Sequence, residues 1–146
     1  MRMVRTENAV PQDETQIGIM QIYVCVTCRF PEEPDDPSTE RAGARMFSAL
    51  LREAESAQSS PRLVAVTCLS VCKRPCTIGF AAPGKWTYVF GDLSPSTALE
   101  AIFCGARLYA ETADGIIPWR QRPQALKKGV VARVPPLTMF PMKSIE

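Results

Sequence analysis

Five of the six cysteines lie in two short stretches, and each stretch closes a run of β-branched and apolar residues. Cys25 and Cys28 form C-x2-C at the end of Gln21-Ile-Tyr-Val-Cys-Val26, while Cys68, Cys72 and Cys76 form C-x3-C-x3-C behind Arg62–Thr67. Both runs read as strands from their β-branched and apolar content. Between them stands Arg29-Phe-Pro-Glu-Glu-Pro-Asp-Asp-Pro37, a loop with three prolines and four acids. Asp36 then offers an N-cap and Pro37 a first helical position. Gly43, Met46, Phe47, Leu50, Leu51 and Ala54 recur at helical steps, so the spacing predicts a helix to about Ala57. A helical crossover between consecutive strands favours a parallel pair. The C-terminal ends of parallel strands lie on one edge of the sheet, so both cysteine loops leave from the same edge. Two such loops can pool thiolates around one centre.

The rest of the chain completes an α/β order. Thr77–Ala82 and Lys85–Phe90 flank Pro83-Gly84 and read as a hairpin. Trp86, Tyr88 and Phe90 share one face of its second arm, expected to pack under a helix and not to stack nucleic-acid bases. Leu99, Ile102, Phe103, Ala106 and Ala110 mark a last helix, opened near Ser94 to Ser96. The order β-α-β-β-β-α is that of a thioredoxin-like α/β domain, shared with other α/β sandwiches. Residues 1–16 read as a polar tail, 17–112 as the domain and 113–146 as a basic, Pro-rich extension.

Composition narrows the chemistry. The chain has no histidine, which removes Ser-His-Asp triads, Cys-His dyads and imidazole ligands. A net charge of +2 does not suit a strongly basic nucleic-acid binder. At 146 residues the chain can bury a core without disulfide staples. No run of eighteen apolar residues suggests a membrane span. Ile17 to Val26 reads as a buried strand and not as a signal peptide. The expected compartment is the cytoplasm, where clustered cysteines are more often metal ligands or redox catalysts than disulfides.

Three chemistries compete for the five thiols. Thiol–disulfide exchange needs a thiolate of lowered pKa, usually at a helix N-terminus. Here the C-x2-C precedes the helix by about ten residues, and Glu32, Glu33, Asp35 and Asp36 between them would raise a thiol pKa. Structural zinc accepts four thiolates, and C-x2-C is a usual half-site. Iron–sulfur clusters also take four thiolates, with looser spacing. Cys68, Cys72 and Cys76 miss the C-x3-C-x2-C of radical enzymes by one residue. Cys104 stands alone in the last helix and reads as a packing residue.

The pattern Ile22-Tyr-Val-Cys25, a helix, Val66-Thr-Cys68-Leu-Ser-Val-Cys72, Thr77-Ile-Gly and Pro83-Gly-Lys-Trp86-Thr-Tyr88-Val-Phe resembles the thioredoxin-like [2Fe–2S] ferredoxins and the equivalent subunit of respiratory complex I. The resemblance covers about residues 20 to 110. It implies a first ligand at Cys25 and the last two at Cys68 and Cys72. The second ligand departs from the pattern, because Asp35 to Gly43 holds no cysteine. Cys28 is one substitute and Cys76 another. The whole chain also resembles a bacterial family of predicted metal-binding proteins of unknown function. That family shares both cysteine motifs and a segment like Gly115-Ile-Ile-Pro-Trp-Arg-Gln-Arg-Pro, and it implies a setting in cobalamin metabolism.

The resulting expectation is an electron carrier or redox partner with a [2Fe–2S] cluster on Cys25, Cys28, Cys68 and Cys72, with Cys76 as the other candidate. The alternative is a zinc module with a structural, regulatory or metal-trafficking role, and a dithiol oxidoreductase is a third reading. No general base, phosphate-binding loop or substrate pocket argues for an independent enzyme activity. Residues 113–146 carry six basic against two acidic side chains, a net +4, and Lys73 and Arg74 add charge in the cysteine loop. The arginines of the extension either pair with the acidic loop 32–36 or form a docking surface for an acidic redox partner. Ile116, Ile117 and Trp119 read as its apolar anchor, and Gly129 as a cap to a turn of helix over Pro123–Lys128. No nucleic acid or membrane partner is expected. Monomer and homodimer are both left open.

Overall fold

A computed structural model describes residues 19–57 and 60–137. The polar tail read over residues 1–16 lies outside them. The elements in chain order are β1 (Gln21–Cys25), α1 (Ala42–Glu55), β2 (Arg62–Val66), β3 (Ile78–Ala81), β4 (Thr87–Phe90), α2 (Leu99–Glu111), a 3-10 turn (Trp119–Gln121), α3 (Gln124–Lys128) and β5 (Val130–Val134). The sheet has five strands in the order β2-β1-β3-β4-β5. β1 and β2 are parallel, with Cys25 opposite Val66, and the other pairs are antiparallel. The expected α/β order is therefore present. The parallel pair places Cys25 and the loop after Val66 side by side at one sheet edge.

One core joins the layers. Ile22 and Val24 of β1, Phe80 of β3, and Tyr88 and Phe90 of β4 are fully buried. They meet Met46 and Leu50 of α1 and Ile102, Ala106 and Tyr109 of α2. Alternation along the strands explains this, because successive side chains point to opposite faces. Tyr23, Thr87 and Val89, the intervening residues, are only half-buried. Phe80 meets Phe90 edge-on at 5.1 Å, and Tyr88 stacks on Phe90 at 5.2 Å.

Four local expectations are corrected. α1 begins at Ala42, not behind Asp36. Asp36 instead closes a separate turn, its carboxylate accepting from the Ser38 backbone and hydroxyl at 2.7 Å. Trp86 lies just ahead of β4 and is half-buried under the Arg133 guanidinium at 5.0 Å, so only Tyr88 and Phe90 enter the core. Trp119 is 58% exposed, so of the three expected anchors only Ile117 is buried, and Leu126 of α3 joins it in the core. Cys104 is exposed and does not pack inside.

The basic extension contributes β5, which pairs with β4 from Thr87↔Val134 to Phe90↔Val130. Gly129 does follow α3, and its N–H reaches the Ala125 carbonyl at 3.0 Å. Gly129 is therefore the cap expected there, with a right-handed φ of −87°. Among the described residues no helix is long and apolar enough to cross a membrane.

Candidate metal centre

The two cysteine loops meet as their strands dictate. A cleft of about 250 Å³ opens at the end of β1 and β2, lined by Cys25, Cys28, Cys68 and Cys72 with Thr27, Arg29, Arg41 and Ser70 among its other walls. Cys25 and Cys28 are buried, whereas Cys68 and Cys72 are exposed at its rim. Cys76 is fully buried and does not line the cleft. Its backbone pairs with Leu93, N–H to carbonyl in both directions, at 3.1 and 3.2 Å. None of the cysteines forms a disulfide.

Hydrogen bonds join the loops across the cleft. The Thr27 hydroxyl donates to the Thr67 carbonyl and lies 3.5 Å from Cys25 Sγ. Cys25 N–H donates to the Thr77 carbonyl at 3.1 Å, and Cys28 Sγ to the Thr77 hydroxyl at 3.7 Å. Ser70, with φ of 62°, turns its N–H onto Cys68 Sγ at 3.2 Å. On the other side, Gly43 N–H of α1 donates to the Cys28 carbonyl at 3.0 Å. A side chain at Gly43 would collide with the Cys25 carbonyl, so glycine is required for this close approach. The helix N-terminus thus rests on the C-x2-C loop through space, although the acidic loop separates them in sequence. Arg41, just ahead of α1, gives its guanidinium to the Thr27 carbonyl at 3.1 Å and to Asp35 at 3.3 Å.

The acidic loop does not govern these thiols as expected. Asp35 pairs with Arg29 and Arg41, and Glu33 with Arg45 at 2.6 Å. Arginines from near the loop, not from the extension, are its partners. Burial pushes the Cys25 thiol up, but hydrogen bonds from Thr27, the Leu69 backbone and Cys28 outweigh it and hold Cys25 below the ordinary range. Cys28 goes the other way: burial, then its bond to Cys25, pushes it up to about 11. Burial pushes Cys76 up to about 12.

The extension holds the second cysteine loop. Arg74, between Cys72 and Cys76, pairs with Asp92 at 2.7 Å and donates to the Lys128 and Val130 carbonyls at 3.1 and 3.4 Å. Gly91 N–H meets the Gly129 carbonyl at 2.7 Å, and a Cβ at Gly91 would stand 2.7 Å from the Arg74 carbonyl. Arg122 locks the other end. It donates to the Tyr88 hydroxyl and to the Ile117 carbonyl, both at 3.0 Å, while its guanidinium lies 5.3 Å from the Tyr88 ring.

Sequence reasoning assigned no part in the site to Thr27, Thr77, Arg41 or Gly43. Proximity to cysteines in sequence was the available signal for Thr27 and Thr77. Nothing local distinguished Arg41 or Gly43.

Four thiols on one cleft match the donor chemistry of a [2Fe–2S] cluster, in which four thiolates complete two irons. Among the described residues no three Cys, Asp or Glu side chains are gathered as a metal-ion site. The four thiols line the cleft from two loops, two from each. The cleft is several times the roughly 30 Å³ that one water occupies in the liquid.

The five-stranded sheet and its helices define a thioredoxin-like α/β domain. A structure of a thioredoxin-like [2Fe–2S] ferredoxin from Aquifex aeolicus superposes with a TM-score of 0.51 at 16% identity, covering 84% of this chain and 98% of that one. A second structure of such a ferredoxin from the same organism gives 0.48 at 13% identity, over 78% and 97%. The first of these likenesses speaks for a shared fold. The chain itself belongs to the family DUF1636, described as a protein of unknown function, whose model matches residues 22–136. No curated protein sequence matches it.

Proposed function

We propose that the cleft holds a [2Fe–2S] cluster and that the protein is a one-electron carrier or redox partner. The observation that carries the reading is the meeting of Cys25, Cys28, Cys68 and Cys72 on one cleft at the sheet edge. These four are the ligands in this reading, with Cys28 in preference to Cys76, because Cys76 lies outside the cleft with its thiol enclosed. The cluster, when bound, supplies reversible one-electron chemistry. The chain's own residues set its surroundings. The Ser70 N–H donates to the sulfur of Cys68, and hydrogen bonds to sulfur favour the reduced, more negative state. Arg29 and Arg41 add positive charge to the wall. Cys25 and Cys28 lie on the buried side, and Cys68 and Cys72 on the side open to a partner.

The test is protein purified without oxygen. Thiolate-to-iron absorption in the visible, about two irons and two sulfides per chain, and an electron-spin signal on reduction are expected. A colourless protein holding one zinc per chain would overturn the reading in favour of the zinc module.

A further inference from the structure

We propose that the cleft rim bearing Cys68 and Cys72, with the basic ridge beside it, is the docking face for an acidic redox protein. The proposal rests on the electron-carrier reading. Cys68, Cys72 and Lys73 are all exposed, so the thiols nearest solvent are flanked by a cation. Arg74 reaches from the same loop to the Lys128 carbonyl, which brings the basic end of α3 against the cysteine loop. Lys127 then lies 5.6 Å from the ring of Trp119, which also has the Arg122 guanidinium at 5.5 Å. Arg120 follows Trp119 and is exposed. Lys73, Lys128, Lys127, Trp119 and Arg120 thus form a ridge that starts at the cysteine rim.

Charge complementarity chooses the partner. Among the described residues three carboxylates near the cleft are paired, Asp35 with Arg29 and Arg41, Glu33 with Arg45 and Asp92 with Arg74, while Glu32 and Asp36 of the acidic loop have no ion-pair partner. Lys73, Lys127, Lys128 and Arg120 form no ion pair with a described carboxylate, and their charge is available to an anionic surface. Arg122 is not part of that charge, since Tyr88 and Ile117 occupy its donors. Trp119, 58% exposed between two cations, offers an aromatic anchor of the kind enriched at the centres of interfaces. Opposite charge on a partner speeds encounter next to the exposed thiols. The ridge is short and the whole chain carries only +2, which suits an acidic protein patch better than a long polyanion.

The experiment follows electron transfer from the reduced protein to an oxidised acidic flavodoxin, in which one electron leaves the cluster and reduces the flavin by one electron. The rate constant should fall about tenfold or more between low and high salt, as screened steering does. Lys73→Glu/Lys127→Glu/Lys128→Glu should slow the low-salt rate about tenfold and flatten the salt dependence, with the visible spectrum unchanged. Arg52→Glu/Arg62→Glu/Arg107→Glu makes the same change in net charge on exposed residues away from the cleft and should leave the rate near wild type. Equal rates for the ridge variant and wild type, or equal slowing by both triple variants, would overturn the assignment. Tighter binding to phosphatidylglycerol vesicles or to oligothymidylate than to flavodoxin would overturn it as well. A protein without a cluster would sink the carrier reading alone. Titration of that protein with flavodoxin then decides the surface: binding lost in the ridge variant supports it, and no binding or equal binding overturns it.

Discussion

Each cysteine of this chain has a distinct environment, and single substitutions should separate them. Cys68→Ser and Cys72→Ser should abolish or severely weaken cluster binding, because each removes one of four thiolates. Cys28→Ser should do the same, whereas Cys76→Ala should keep the visible spectrum and cost stability through a small buried cavity, about 1 kcal/mol. Iron content and thermal melting of the purified variants check this, and the opposite order for Cys28 and Cys76 would exchange their roles. Cys104→Ser should change neither quantity, since Cys104 is exposed on α2. Thr27→Val removes the hydroxyl that joins the two cysteine loops through the Thr67 carbonyl, so iron should be lost to a chelator several-fold faster than in wild type. Decay of the visible absorption with chelator present measures it. An unchanged rate would mean that the loops hold the cluster without that bond.

Elements in this fold are positioned by contacts their own sequences do not announce. α1 has no side-chain cap at its N-terminus, and its start is set where Gly43 touches the Cys25 and Cys28 backbone. Gly43→Ala would gain about 1 kcal/mol of helix propensity. Against that, the new methyl meets a backbone carbonyl that cannot rotate aside, and overpacking typically costs about 1–3 kcal/mol or more. The collision should win. Denaturant melting should show a net loss, and the cluster should be released to an iron chelator faster than in wild type. A stabilised Gly43→Ala protein would mean that α1 can shift along its axis without disturbing the cysteine loop.

The molecule as a whole is closed by its basic extension. β5 completes the sheet, Ile117 enters the core, and Arg122 and Arg74 fasten the segment at both ends. Ile117→Ala should cost about 2–5 kcal/mol, as large-to-small core substitutions do. Arg74→Ala should cost less, but it releases the Lys128 and Val130 carbonyls from the cysteine loop. Its signature should be a several-fold faster loss of iron to chelator at nearly unchanged melting temperature. If Arg74→Ala melts early and loses iron only on unfolding, the strap serves the fold and not the cleft.

What the sequence alone determined were the features with short-range causes. β-Branched, aromatic and apolar runs placed the first four strands, Pro83-Gly84 marked the hairpin of the third and fourth, and the crossover rule put both cysteine loops on one edge. That rule also made Cys25, Cys28, Cys68 and Cys72 candidates for one site. Tertiary structure decided the matters that depend on distant partners. Asp36 has a capping side chain, yet α1 starts at Ala42 because the Cys28 carbonyl receives Gly43 N–H. Val130–Val134 is a short, half-exposed edge strand whose pattern is masked by charges, and it exists through its pairing with β4. Trp119 looked like an anchor by its apolar bulk, but Ile117 is the one buried, and the indole lies outside beside Arg122 and Lys127. The choice between Cys28 and Cys76 was equally closed to the sequence, because both lie three or four residues beyond a neighbouring cysteine. Only the antiparallel bridge of Cys76 with Leu93 turns one of them away from the cleft.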